Sequence, residues 1–376
     1  MIKRAYKYRI YPTTNQKEFF SKTFGCARFF YNKSLEDIRN QYKITGKIKN
    51  ITPASYKKDY PFLKEVDAFA LCNAQLNRNK AIKKSLAETR CFPRFKSKKH
   101  EQKYTTNNSN ELIRFSDDGK YLLSVPKCGK IRIKKHRDFN GSIKSLTITK
   151  TCDDRYFVSI LVETEAILLE ETRNVVGLDL GIKKMIVDSN GLKYTNHKYF
   201  TKSEKKLNRE QRKLAKMKKN SKNRDKQRKI VARINAKISN QRKDYLHKIT
   251  KRIIDENQVI CIESLLVKDM EHNNKLAKNI SDVSWSRLVT MLIYKADWYG
   301  RKLIKVPDNY PSSQLCHVCG YKNSITRDLA IRKWTCPKCG SIHDRDINAA
   351  KNILSKGIET LTKDGTHPDS LFMLGS

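Results

Sequence analysis

The sequence predicts an α/β chain of several domains: a small antiparallel β-barrel with a helical unit inserted into it, then a mixed α/β domain bearing a zinc ribbon. Three observations carry this. Five short β-branched or aromatic runs follow one another between residues 111 and 165, separated by turn residues. Two apolar, strand-like runs each end in a carboxylate, Asp179 and Glu263. Two CxxC pairs then stand sixteen residues apart near the end of the chain.

Composition narrows the partners. The 376 residues carry 79 Lys and Arg against 38 Asp and Glu, a formal net charge of +41. That length predicts two or three domains, and that excess predicts a polyanion partner, nucleic acid rather than membrane. No apolar run approaches the ~18 residues of a membrane span. The opening MIKRAYKYRIYP has no apolar core of a signal peptide. An intracellular protein is expected. Of ten cysteines, four lie in the CxxC pairs. The rest, Cys26, Cys72, Cys91, Cys128, Cys152 and Cys261, read mostly as small buried side chains.

The elements follow in order. Ile2, Tyr6, Tyr8 and Ile10 alternate with Lys3, Lys7 and Arg9, a half-buried strand stopped by Pro12. Thr13 or Thr14 can cap the next helix, whose apolar face reads Phe20, Phe24, Ala27, Tyr31, Leu35. Residues 40–66 are loop-like. Residues 67–86 read as a second helix with Leu71, Ala74, Ala81 and Ile82 inward. FPRFKSKKH, residues 92–100, mixes aromatics with Arg94, Lys96 and further cations, a pattern suited to phosphate contact and stacking. The strands LIRF, YLLSV, KIRIKK, SLTITK and YFVSILVETE come next, with residues 2–10 able to join them.

Asn174–Ser189 reads strand, tight turn, strand, with Asp179 near the end of the first. Residues 200–256 are helical, broken near Asn220–Ser221. Over Lys202–Arg252 they hold 21 basic and four acidic residues, too one-sided for self-compensating ion pairs. A strand ending in Glu263, a helix over Trp285–Tyr299, a strand over Lys302–Val306 and a helix from near Asp346 complete the series. Past Gly357 the tail is polar and expected to be disordered.

A carboxylate at the end of a buried strand is costly unless a buried Arg or Lys, a helix N-terminus or a metal satisfies it, the plain alternative being a turn aspartate. Asp179, Glu263 and Asp346, brought to one point, would repel unless neutralised. Magnesium, a hard cation that prefers oxygen ligands and keeps waters for a substrate phosphate, suits them. Two such ions can activate a water and stabilise a leaving oxygen in phosphodiester hydrolysis. Cys316, Cys319, Cys336 and Cys339 match one structural, tetrahedral zinc with no open position. His317 and His343 lie beside this set and are surplus to it.

Taken together, GLDLGIKK, VICIESLLVKDM, YPSSQLCHVCG, WTCPKCG and HDRDINAAKNIL resemble the TnpB family of insertion-sequence proteins, related to type V CRISPR effectors. RAYKYRIYPT, FPRFKSKK and NQRKDYLHKIT resemble it too, so the likeness runs from Lys3 to Leu354. The resemblance implies an RNase H-like (RuvC) nuclease domain with Asp179, Glu263 and Asp346 as the catalytic, magnesium-binding triad, manganese being a substitute. Asp344 competes for the third place; Asp346 is preferred because it opens the family's D-x-N-A pattern.

The implied domains are a wedge β-barrel (1–12 and 95–170), a helical recognition domain (13–94), a RuvC-like domain (171–312 and 341–356) with its basic helical insertion (200–256), a zinc ribbon (313–340) and a disordered tail (357–376). The implied activity is RNA-guided cleavage of double-stranded DNA beside a short transposon-adjacent motif. The implied partners are a guide RNA from the transposon end, one protein per RNA, and duplex target DNA, with no membrane, in the prokaryotic cytoplasm at the nucleoid. Gln75, Asn79 and Lys80, with Tyr104 and Thr105 in a 104–108 loop, are expected at the adjacent motif, where amides can read adenine edges. Arg242 and Lys243 are further expected nucleic-acid contacts. A nuclease-silent guide-dependent regulator and a guide-free strand-transfer enzyme are the alternatives on the same fold.

Overall fold

The computed structural model describes residues 1–89, 91–264, 284–328 and 330–363. Leu265–Met270 of the second acid's motif and residues 364–376 of the tail fall outside these. The chain divides into two compact units, Met1–Glu165 and Ala166–Ser376. Among the described residues no helix is long and apolar enough to cross a membrane.

The first unit holds one six-stranded antiparallel sheet. Its strands are β1 (Ile2–Tyr11), β2 (Gln102–Asn107), β3 (Tyr121–Val125), β4 (Gly129–Lys134), β5 (Ser142–Lys150) and β6 (Tyr156–Thr164), in the order β2-β5-β6-β1-β4-β3. Among the described residues β2 and β3 do not pair with each other, so backbone bonding does not close the expected barrel. Helices stand beside the β2 edge instead. The helix α1 (Thr14–Thr45) is capped by Thr13, whose hydroxyl accepts from Gln16 N while Gln16 Oε1 accepts from Thr13 N, and it ends at Gly46 in the left-handed region. A single turn, α2 (Pro53–Tyr56), leads towards α3 (Ala68–Thr89). Asn73 on α3 donates to Thr105 O of β2 at 3.1 Å. Phe20 and Phe24 of α1 and Ala70 of α3 complete the core under Tyr8, Ile10, Ile131, Leu146 and Val158.

Two expectations are corrected here. LIRF is not a strand: Phe115 makes one isolated bridge to Leu122, because Asn110 and Glu111 take positive φ and Asn108 ties the segment down through Ile113 N and O. The missing strand is β2, over residues expected to loop. Its threonines stand where apolar residues would mark the alternation, and Tyr104 and Thr106 point inward.

The second unit is built on a five-stranded sheet of order β11-β10-β7-β8-β9. These are β7 (Val175–Leu180), β8 (Lys184–Asp188), β9 (Lys193–Thr195), β10 (Val259–Glu263) and β11 (Lys302–Val306). β10 runs parallel to both β7 and β11, while β7, β8 and β9 form an antiparallel meander. On one face, Val176, Leu178, Ile260 and Ile262 pack against α5 (Lys222–Glu256) and α6 (Trp285–Tyr299). Val259, Cys261, Ile304 and Val306 meet the last described helix, α7 (Arg345–Lys363), through Ile353 and Leu361. The basic segment forms α4 (Tyr199–Lys216) and α5, broken at 217–221.

The tail is also corrected. α7 continues through Gly357 to Lys363. Gly357 is helical and buried because its bare Cα lies against Cys261, where a Cβ would meet Sγ at 2.3 Å. A glycine that reads as a helix stop in sequence is here a packing residue.

Candidate functional site

The alternation of a strand decides where the acids go. Gly177 pairs with Cys261 across β7 and β10, one step before Leu178 with Ile262. Asp179 shares its face with Gly177, and Glu263 with Cys261. That is the face α7 covers. α7 can approach because Gly177 has no side chain: a Cβ there would lie 2.1 Å from Ala350 O. The first turn of α7 carries Asp346, so the close approach sets the third acid over the ends of the two strands.

The three carboxylates feel one another. Desolvation raises Asp179 well above the usual carboxylate range, and Glu263 and Asp346 raise it further. Desolvation also raises Glu263, to about 7, against the opposing effect of Leu180 N, which donates to Glu263 Oε1 at 3.2 Å. A cation removes this penalty. Arg332 Nη1 reaches Asp346 Oδ1 at 3.2 Å. Asp344 has a different task. Its Oδ1 accepts from Asp346 N and Ile347 N at the start of α7, and its Oδ2 pairs with Lys193 at 2.8 Å. Asp344 is thus engaged in capping the start of α7. Among the described residues, the group of ligand side chains placed to hold a metal ion is the cysteine set, whose sulfur atoms all lie within 4.8 Å of one another.

That set is Cys316, Cys319, Cys336 and Cys339, with Sγ separations of 3.7 Å for Cys316–Cys339 and 3.6 Å for Cys319–Cys336. Four thiolates about 2.3 Å from a tetrahedral zinc stand about 3.8 Å apart, so the residues fit the metal. Both knuckles end in a glycine at φ 73°, Gly320 and Gly340. His343 Nε2 lies 3.1 Å from Cys316 Sγ, under the ring of Trp334. The knuckle is fastened to α7 by two buried amides. Asn348 accepts from His317 N at 3.0 Å and donates to Leu315 O at 2.7 Å, and Asn352 donates to Ser312 O at 2.8 Å and to Leu315 O. Sequence reasoning had no role for these two asparagines; their i, i+4 spacing on the helix of the third acid was the available signal.

The expected nucleic-acid contacts scatter. Tyr104 is 3 % exposed and sits in the core, which removes it as a base contact. Gln75 bonds Asn50 and Asn79 accepts from Arg78, neither of them lining the groove between α3 and β2, and Lys80 is exposed and does not line it. That groove, about 510 Å³, is lined instead by Asn73 and Asn77 of α3, with Thr105, Thr147, Lys96 and Lys103. Arg94 lines a separate cleft with Arg39, Tyr42 and Phe92. Arg242 Nη1 donates to Ser284 Oγ at 3.2 Å, and Lys243 is exposed beside it in sequence.

Comparison with known proteins agrees with this architecture. The chain shares its fold with the protein of a Cas12f1–sgRNA–target DNA complex solved by cryo-EM, at TM-score 0.61 and 14% identity over 94% of this chain and 98% of that one. Residues 285–353 match the Cas12f1-like TNB domain, 159–274 a family described as "Probable transposase", and 1–47 one described as a helix-turn-helix domain. In this chain residues 14–45 form one continuous helix after a strand. A Streptomyces pristinaespiralis protein named as a candidate RNA-guided DNA endonuclease is 35% identical over 98% of this chain and 92% of its own length. Its Escherichia coli counterpart InsQ, similarly named, is 29% identical over 94% and 92%. Fold and site thus define a mixed α/β protein that shares its fold with Cas12f1 and gathers four cysteines at one point. The chain belongs to the TnpB family of RNA-guided endonuclease-type proteins of insertion sequences.

Proposed function

We propose that the chain is the RNA-guided DNA endonuclease of an insertion sequence, cutting double-stranded DNA beside a short adjacent motif. The observation that carries this reading is the placement of Asp179 and Glu263 at the ends of two adjacent parallel strands, with Asp346 in the first turn of the helix packed on the same face at Gly177. On this reading the second unit is an RNase H-like, RuvC-type nuclease domain, 171–312 and 341–356, with a zinc ribbon at 313–340. The sheet of the first unit is the wedge, 1–12 and 95–170, and residues 13–94 are the recognition part.

Asp179, Glu263 and Asp346 would hold two magnesium ions, and the site's acid-only donors and raised carboxyl groups suit a hard dication. Bound there, the ions supply an activated water and stabilise the leaving oxygen of the phosphodiester. The chain's own residues do the positioning. Leu180 N–H orients Glu263, the α7 start presents Asp346, and Asp344 fixes that start. The four cysteines would hold one structural zinc.

Base pairing with a guide RNA would read sequence, leaving the protein to read phosphate, shape and the short motif. The Asn73–Asn77 groove is the motif reader on this assignment, since amides pair with adenine edges in the major groove. The α4–α5 hairpin, including Arg242 and Lys243, lies along RNA phosphate. The enzyme works in the prokaryotic cytoplasm at the nucleoid.

The test is Asp179→Ala. Cleavage of a motif-bearing duplex in magnesium should vanish while RNA binding persists. Undiminished cleavage overturns the assignment. RNA-free strand transfer, or tight target binding without cleavage by the unaltered chain, favours the transposase or the regulator.

A further inference from the structure

One lysine of the second unit stands in line with the acids, and the sheet register puts it there. Across β7 and β8, Asp179 pairs with Val187; across β8 and β9, Val187 pairs with Lys193. Directly opposite residues of antiparallel strands share a face. Asp179, Val187 and Lys193 therefore form one row on the face that α7 covers. Strands lie about 4.8 Å apart, which sets the Cα of Lys193 roughly 10 Å from that of Asp179.

The start of α7 meets both ends of this row. Asp346 lies close enough to Asp179 for their charges to interact. Asp344, just before the helix, pairs through Oδ2 with Lys193 Nζ at 2.8 Å. Its other oxygen, Oδ1, accepts from Asp346 N at 3.1 Å and from Ile347 N at 3.2 Å. One carboxylate thus joins the lysine to the backbone of the third acid.

Lys193 is itself held in place. A tight turn joins β8 to β9: Asp188 Oδ1 accepts from Asn190 N at 3.0 Å and from Leu192 N at 2.8 Å, and Gly191 takes φ 88°. Ser189 ties that turn to β7. Its N donates to Gly177 O at 2.9 Å, and its Oγ accepts from Gly177 N at 3.1 Å. Gly191 faces α7, where a Cβ would stand 3.6 Å from Ile347 Cδ1. The turn is therefore fixed to Gly177, on which α7 rests, and reaches α7 again at Ile347 and, through Lys193, at Asp344.

Stability does not account for this lysine. The side chains of Lys193 and Asp344 keep 37% and 30% of their exposure, and an ion pair so open to water adds little to folding. What it constrains is direction. With Lys193 in place, the Asp344 carboxylate turns one oxygen to the lysine and the other to the amides. The χ2 torsion of an aspartate is broad, so without the lysine the carboxylate can rotate away from them. A helix start that loses its cap leaves its first amides unsatisfied, and Asp346 is in that first turn.

We propose that Lys193 is a positioning residue for the magnesium site: through Asp344 it fixes the amides that open α7, and with them the Asp346 carboxylate. The proposal rests on the reading of Asp179, Glu263 and Asp346 as metal ligands and adds an edge-strand lysine to that site.

Three measurements on the full chain test it. Lys193→Met should bind manganese, followed by electron paramagnetic resonance without nucleic acid, about tenfold more weakly than the parent. Its magnesium concentration for half-maximal cleavage should rise by a similar factor, while the rate at saturating magnesium falls far less. Amide hydrogen exchange should quicken in the peptide holding Asp346 and Ile347, with the melting temperature unchanged. Lys193→Arg, which keeps the charge, should restore all three. Lys193→Met/Asp344→Asn should be no worse than Asp344→Asn alone, since both act through one contact. Parent-like manganese affinity in Lys193→Met overturns the proposal whatever the melting temperature, and so does a loss that Lys193→Arg does not restore. If Asp179→Ala leaves manganese binding unaltered, the metal reading of the acids fails instead, so the two failures are distinguishable.

Discussion

Gly177 and Ala350 lie so close across the sheet–helix boundary that a single added carbon on Gly177 would stand 2.1 Å from the Ala350 carbonyl oxygen. The obstacle is backbone, which cannot rotate aside. Gly177→Ala should therefore lift α7 from β7, lowering stability by about 3 kcal/mol or more and displacing Asp346 from Asp179. Thermal unfolding and cleavage rate measure the two effects. A variant with normal melting and normal cleavage contradicts the role given to this contact.

Asn348 should connect zinc retention to cleavage. Asn348→Ala leaves His317 N without its partner, a loss of about 1–3 kcal/mol, and removes one of the two donors to Leu315 O, Asn352 keeping the other. Zinc release to a chelator, followed with a colorimetric indicator, should quicken several-fold. The magnesium concentration for half-maximal cleavage should rise, since Asp346 lies two residues earlier on the same helix. Unchanged values of both would show the amide to be incidental.

Lys295 gives a pH-dependent prediction. It is 6 % exposed on α6, donating to His247 O at 2.8 Å and Thr250 Oγ1 at 2.7 Å, and desolvation lowers it to about 8. The unfolded chain, near 10.5, holds the proton more tightly. Below pH 8 both states are charged and the full cost of burying the ammonium is present. Between pH 8 and about 10.5 the unfolded state binds more protons, so this group's contribution to stability becomes more favourable as pH rises. Lys295→Met should exceed the parent in unfolding free energy from urea titration at pH 7, by roughly 1–3 kcal/mol, and the advantage should shrink by pH 10. A constant difference across that window would rule the explanation out.

The groove separates two sets of amides. Asn73→Ala and Asn77→Ala should relax the preference for the adjacent motif by about 1–3 kcal/mol at one base pair. Gln75→Ala and Asn79→Ala should not. A library of randomised flanks read by cleavage distinguishes them, and the reverse pattern would return the role to Gln75 and Asn79.

Why some of this was legible and some was not follows from the residues. Asp179 and Glu263 stand out in the sequence because each interrupts an apolar run, where an unsatisfied carboxylate is costly. The cysteine pairs are local and their spacing encodes a coordination geometry. β2 was hidden because Thr105 and Thr106 are neither clearly apolar nor clearly polar. Gly357 misled because a glycine that ends a helix and a glycine that lets a helix touch a strand look alike until the strand is in place. Gln75 and Asn79 do not line the groove because two residues separate them from Asn73 and Asn77, which rotates the set by more than half a turn.

The third acid comes last. Asp346 follows the ribbon and begins the final described helix, whereas Met1–Glu165 closes its own core. On a translating ribosome the first unit emerges and can fold while the scissors still lack a blade. On the proposed function, a gene copy with a stop codon between 166 and 345 would yield a polypeptide that retains the groove and lacks the third acid. In a cell that also carries an intact copy, such fragments would compete for the same nucleic acid and lower its cleavage. Decay of the gene from its distal end would on that reading turn the chain into its own antagonist.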